Sequence, residues 1–239
     1  MNAQNFSQKD LERLSKSISS GILGLTPRKN VVTLQPRMHI FRSAHPIPVC
    51  EGKSPLPSYE THSAVITHVS SDQAYLLRIL KEKRSGNLET FLIHPEKNLY
   101  RFVFFRIEGI EQEFITDFQG RALIGRHDLD LSRAKIRISP PFAVFPADLT
   151  KSKEIHNIKP EFNATHRKNL AISVSLIEQE RKQSLRVLVP RFHRQSSGSR
   201  VNLILNRKEV YSSLSHKGVA LFEELDDSFP LKFQINLYE

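Results

Sequence analysis

From Val31 onward the chain keeps a period of two, in short runs closed off by Pro, Gly, Asn or Ser. The first part holds Val31–Leu34, Met38–Phe41, Ser63–Val69, Ala74–Leu80, Thr90–Ile93, Leu99–Ile107, Ile110–Phe118 and Ala134–Ile138. Leu170–Ile177, Leu185–Val189, Val201–Leu205, Val219–Phe222 and Leu231–Leu237 follow in the second. A run of this kind buries one face of a strand and leaves the other polar. Runs so short and closely spaced suggest antiparallel hairpins and not βαβ units. The pattern predicts a mainly β chain of two small antiparallel β-barrel or sandwich domains. The apolar stretches Arg101–Ile107 and Leu231–Tyr238 read as core strands.

Ahead of these runs the period changes. Ser7 is a plausible N-cap answered by Asp10, and Leu11, Leu14 and Ile18 share one helical face before Gly21 and Gly24 end the segment. A short N-terminal helix and linker are therefore expected over residues 1–30. His45–Tyr59, with Pro46, Pro48, Pro55 and Pro57, reads as an irregular loop. A second break is expected from Pro140-Pro141 to about Pro160. It separates a first β domain at 31–145 from a second at 146–239.

Apolar residues make up 39% and charged residues 25% of the 239, an ordinary globular balance. The longest apolar run, Phe102–Phe105, is far short of a membrane helix. The N-terminus lacks the pattern of a secretory leader. The single cysteine, Cys50, allows no internal disulfide and no multi-cysteine metal site, and it reads as an ordinary thiol. Together these features point to a cytoplasmic protein with no membrane span.

Charge is distributed unevenly. Between Arg181 and Lys217 stand Arg181, Lys182, Arg186, Arg191, Arg194, Arg200, Arg207, Lys208 and Lys217 against one acid, Glu209. That window carries +8 of the chain's +10. Such a cluster attracts phosphates or acidic protein surface, so an anionic ligand or acidic protein surface is the expected partner.

Motifs of catalysis are lacking. The chain has no GxGxxG, no phosphate loop, no HExxH and no Cys/His zinc spacing. No GxSxG elbow supports a nucleophilic triad. His62 and His68, six apart on one expected strand, would share a face about 20 Å apart and could not share a metal. Glu223, Glu224, Asp226 and Asp227 read as a solvated turn. A non-enzyme with no cofactor and no metal site is expected.

Two segments of the second half belong together chemically. Glu180-Arg181-Lys182-Gln183-Ser184-Leu185-Arg186 sets basic residues at the mouth of a strand, and guanidinium groups grip phosphates bidentately. Ser213-Leu214-Ser215-His216-Lys217-Gly218 offers hydroxyl and glycine positions that let donors approach closely. With these segments the chain resembles the PilZ domain, which reads a basic RxxxR stretch together with a [D/N]xSxxG turn. Lys182 stands where the first arginine would, and Ser213 where Asp or Asn would. The resemblance extends to the flagellar-brake type, in which another barrel precedes the PilZ barrel. Thr61–Leu80, Gly86–His94 and Arg106–Phe118 are similar to that first barrel, and Ile136–Pro141 to the junction that ends it. A shorter match, Arg101…Arg106 with Asp130-Leu131-Ser132, lacks the glycine.

The resemblance implies a non-enzymatic adaptor that binds cyclic di-GMP, or has lost that ability and docks to a protein machine. Arg181, Lys182, Arg186, Ser213, Ser215 and Gly218 would hold the ligand. Arg191, Arg194, Arg200, Arg207, Lys208 and Lys217 would form the surrounding basic patch. Two alternatives stand beside it. One is a basic nucleic-acid-binding β protein, with Phe192, His193 and Tyr211 available for stacking. The other is a structural subunit of a secretion, motility or viral assembly.

Overall fold

The computed structural model describes residues 31–37, 61–165, 170–179, 182–189, 199–215, 217–225 and 228–238. The expected N-terminal helix, the Met38–Phe41 run, the His45–Tyr59 loop and Cys50 lie outside them. The described chain is mainly β, in antiparallel sheets, as the period-two runs predict.

The first unit holds β1 (Val32–Arg37), β2 (His62–Ser70), β3 (Leu76–Glu82), β4 (Leu88–Ile93), β5 (Phe104–Ile107), β6 (Glu113–Ile115), β7 (Arg121–Gly125) and β8 (Ile136–Ser139). A 3-10 turn, Lys97–Leu99, lies between β4 and β5. The strands form one sheet in the order β6-β5-β8-β1-β2-β3-β4-β7. Its two ends approach each other, so the sheet nearly closes into a barrel. Inside lie Leu34, Leu77, Ile79, Leu92, Phe105, Ile107, Ile136 and Ile138. Each such side chain contributes about 1.5–3 kcal/mol by leaving water.

The second unit holds β9 (Ala143–Asp148), β10 (Glu154–Ile158), β11 (Phe162–Asn163), β12 (Ile172–Gln179), β13 (Lys182–Leu188), β14 (Arg200–Leu205), β15 (Glu209–Leu214), β16 (Val219–Leu225) and β17 (Lys232–Tyr238). A four-stranded sheet, β10-β12-β13-β16, faces a five-stranded sheet, β11-β9-β17-β14-β15. Between them lie Phe145, Ile172, Val174, Leu185, Val187, Val201, Leu203, Phe222 and Ile235. The two cores divide between Ile138 and Phe142, at Pro140-Pro141.

Four sequence expectations need correction. The stretch after Pro141 is no break, because it carries β9, β10 and β11. Pro146 fits β9 because the carbonyls of Phe142 and Val144 accept from Ala164 and Glu161, so even-numbered backbone groups face β11. β11 pairs only as far as Val144, leaving the Pro146 nitrogen at an open edge where a missing donor costs nothing. Secondly, the run read as a strand from Leu99 begins at Phe104, since Tyr100–Val103 turns across the barrel's end. Thirdly, Glu223 and Glu224 belong to β16, where Glu224 adopts a left-handed conformation.

The fourth concerns His62 and His68, which do not share a face. The β2–β3 register shifts between Ala64 and Ile66, and this bulge turns His68 into the barrel while His62 stays outside near Glu89. A bulge inserts one residue and reverses every side chain beyond it. No described helix is long and apolar enough to cross a membrane.

Candidate functional site

Among the described residues, the basic window does not gather on one surface. Arg181, Arg191 and Arg194 lie outside the described residues, and Lys182 contributes backbone to β13, opposite Gln179. Arg186 stands between the buried Leu185 and Val187, so it points outward from the four-stranded sheet, beside Ser175 and Leu221. Ser213 pairs with Val201 and therefore faces the second unit's core, away from Arg186. Ser215 is buried, its amide donating to the Ser199 carbonyl (2.9 Å). Lys217 and Gly218 turn through left-handed backbone, and the Gly218 carbonyl accepts from the Val189 amide (2.8 Å).

The expected clamp is thus split. Ser213, Ser215 and Gly218 gather at one end of the second unit, while Arg186 sits on an outer face. Arg207 and Lys208 lie beyond the other end of β14, about 20 Å from Arg200. Asn206 and Arg207 form a left-handed turn there. Arg200 points to another surface, the junction of the two units.

This junction is built from the outer face of β5, β6 and β8. On β5, Phe105 and Ile107 enter the core, so Phe104 and Arg106 face outward. Directly across, Arg106 pairs with Glu113 of β6 on one side and Arg137 of β8 on the other, and Arg137 in turn pairs with Thr33 of β1. One row therefore reads Glu113, Arg106, Arg137, Thr33. Like charges directly opposite each other destabilise a sheet. Glu113 compensates one of the two arginines: Arg106 Nε donates to Glu113 Oε1 at 3.1 Å. Arg137 is exposed and has no carboxylate partner among the described residues.

The second unit completes the site. Arg200 Nη1 donates to Glu113 Oε2 at 2.6 Å, and its guanidinium lies 4.3 Å from the centre of the Phe104 ring. A charge held over an aromatic face and against a carboxylate is fixed in both direction and distance. Two guanidiniums, one from each unit, thus hold one carboxylate, and Arg137 stands on the far side of Arg106 from it.

Behind this charged rim the junction is buried. Tyr238 of β17 is 2% exposed and meets Phe104 edge-on at 4.9 Å. Its hydroxyl donates to the Phe102 carbonyl at 2.6 Å and accepts from Asn236 Nδ2 at 3.2 Å. Burial pushes its pKa far above the usual tyrosine range, so it remains a neutral donor. Phe102 is held at φ +53, a conformation that costs a bulky residue about 1–3 kcal/mol. Thr116 pins the same segment, its hydroxyl donating to the Tyr100 carbonyl and accepting from the Val103 amide (both 2.8 Å). A peripheral ion pair, Lys97–Glu161 at 3.1 Å, spans the units elsewhere.

Sequence reading missed Arg106, Glu113 and Arg137 as a group. Arginines set between apolar strand residues are the available signal, as in Phe105-Arg106-Ile107 and Ile136-Arg137-Ile138. Which strands lie side by side is not legible from spacing. No family model, no curated protein and no solved structure matches the chain.

Proposed function

We propose that this chain is a non-catalytic adaptor that binds a phosphate-bearing anionic ligand on the charged rim between its two β units. One observation carries the reading: Arg106 and Arg137 stand directly opposite each other, and Glu113, the carboxylate that pairs with Arg106, also pairs with Arg200 of the second unit. Arg137, which has no carboxylate partner among the described residues, supplies a guanidinium, and Thr33 beside it offers a hydroxyl. A phosphate would relieve the repulsion between the paired arginines through charge-assisted bonds. Because the rim draws on both units, occupancy there would be felt by both, as an adaptor requires. Cyclic di-GMP is the ligand implied by the PilZ resemblance, although the residues that suggested it, Arg186 and Ser213–Gly218, do not face one another.

Titration of the purified chain with cyclic di-GMP, and in parallel with inorganic pyrophosphate, tests the reading. Binding should be seen at about 50 mM salt and weaken several-fold by about 200 mM, because exposed charges are screened. No binding of either anion at the lower salt contradicts it.

A second reading has its own support. Arg186 lies on an outer sheet face beside Leu221 (42% exposed) and near Leu188 (38% exposed). A cation among exposed leucines suits docking to an acidic protein surface with an apolar centre. In that reading the chain serves a larger assembly as a structural subunit.

A further inference from the structure

Glu113 is engaged on both carboxylate oxygens, and both engagements are with groups that an incoming anion would seek. Arg106 Nε takes Oε1 from within the first unit, and Arg200 Nη1 takes Oε2 from across the junction. The carboxylate therefore already occupies the position of an anionic ligand toward two of the three guanidiniums. Resting on the anion-binding reading above, we infer that Glu113 is an internal counter-anion that competes with ligand and withholds Arg200 from it.

Two geometric facts support a competitor over a fixed structural pair. Glu113 lies on β6, a three-residue strand at the end of the sheet order and the shortest in the first unit. A short terminal strand has few ladder bonds to hold its side chains in one place. Arg106, with its side chain 63% exposed, is free to turn toward Arg137's side of the row. Arg200, by contrast, is fixed over Phe104 and stays aimed at the rim whether or not Glu113 holds it. Loss of the carboxylate's charge thus leaves a preoriented guanidinium with no partner. Binding of an anion and retention of the Arg200–Glu113 bridge then oppose each other, and by linkage each weakens the other equally.

A double-mutant cycle with inorganic pyrophosphate as probe tests the inference. Glu113→Gln keeps the shape, removes the charge and should tighten binding by about tenfold, the equivalent of about 1.4 kcal/mol. Arg200→Ala should change the affinity of the wild type by less than about threefold, yet weaken the Glu113→Gln variant by about tenfold, because only there does Arg200 reach the probe. Glu113→Asp, which shortens the reach to Arg200 while keeping the charge, should fall between wild type and Glu113→Gln. Equal effects of Arg200→Ala in both backgrounds, or no tightening in Glu113→Gln, overturn the competitor role while leaving the binding site intact. Pyrophosphate binding by none of the five proteins removes the site itself, and the inference with it.

Discussion

Arg200 Nη1 lies 2.6 Å from Glu113 Oε2, joining residues 87 positions apart in two β units with separate cores. The bond is half shielded, and the arginine's other face is taken by the Phe104 ring. Replacing Arg200 by alanine removes a partly screened ion pair and a cation–π contact, together about 1–2 kcal/mol. Thermal unfolding of Arg200→Ala should show a lower midpoint and a broader transition, as the two units lose their coupling. An unchanged midpoint and width would mean that the bridge holds nothing together.

Tyr238 governs the apolar half of the same junction. Tyr238→Phe keeps the ring against Phe104 but leaves the Phe102 carbonyl without its donor. A buried group left unpartnered costs about 1–3 kcal/mol. Chemical denaturation should show that loss, and hydrogen exchange should show faster opening around Phe102–Phe104, where the left-handed residue is no longer restrained. Wild-type stability in this variant would place the restraint elsewhere.

His68 makes the first barrel sensitive to pH. It is fully buried, Nε2 lies 3.0 Å from the Ala134 carbonyl, and burial lowers its pKa below 6.5. The unfolded chain then binds a proton more readily than the folded chain as pH falls below about 6.5. Stability from this group is complete above that value and is lost progressively toward the lower folded pKa. Denaturation midpoints of wild type measured from pH 7.5 to 5 should fall more steeply than those of His68→Leu. Parallel slopes would show that His68 does not titrate with folding.

Gly120 marks the tightest backbone in the first barrel. It sits at φ +80, and a Cβ there would come within 2.5 Å of the Leu92 carbonyl oxygen and 2.9 Å of the Tyr100 ring. Gly120→Ala should therefore cost at least about 3 kcal/mol, combining left-handed strain with displacement of a strand. Gly125, at φ +87 with nothing near its Cβ position, bears the strain alone, about 1–2 kcal/mol. Equal losses in the two variants would remove the steric account.

Many strands with one buried and one wet face were legible, although the short β7, Arg121–Gly125, was not among the expected runs. Leu77 and Ile79 on β3, and Ile172 and Val174 on β12, alternate cleanly with more exposed neighbours. They were obscured where a strand is covered on both sides or lies at an edge. β9 carries a proline at its open edge and read as part of a break, while β15, mostly exposed and serine-containing, was not among the expected strands. His68 was misplaced by a bulge, a one-residue event that no periodicity announces. The junction escaped for a different reason. Local sequence shows that Arg106, Glu113, Arg137 and Arg200 are charged, but only the strand order β6-β5-β8 and the contact of the two units set them side by side. Charge density along the chain pointed to 181–217, and the fold spreads the described members of that window over several surfaces.

On this reading anions bind at the rim between the units and not at the outer face of β13. The direct measurement is a side-by-side titration of wild type, Arg137→Ala and Arg186→Ala with cyclic di-GMP and with inorganic pyrophosphate, at one low salt concentration. The account predicts that Arg137→Ala weakens binding by about tenfold or more while Arg186→Ala stays within about twofold of wild type. Loss of binding in Arg186→Ala with retention in Arg137→Ala would contradict it.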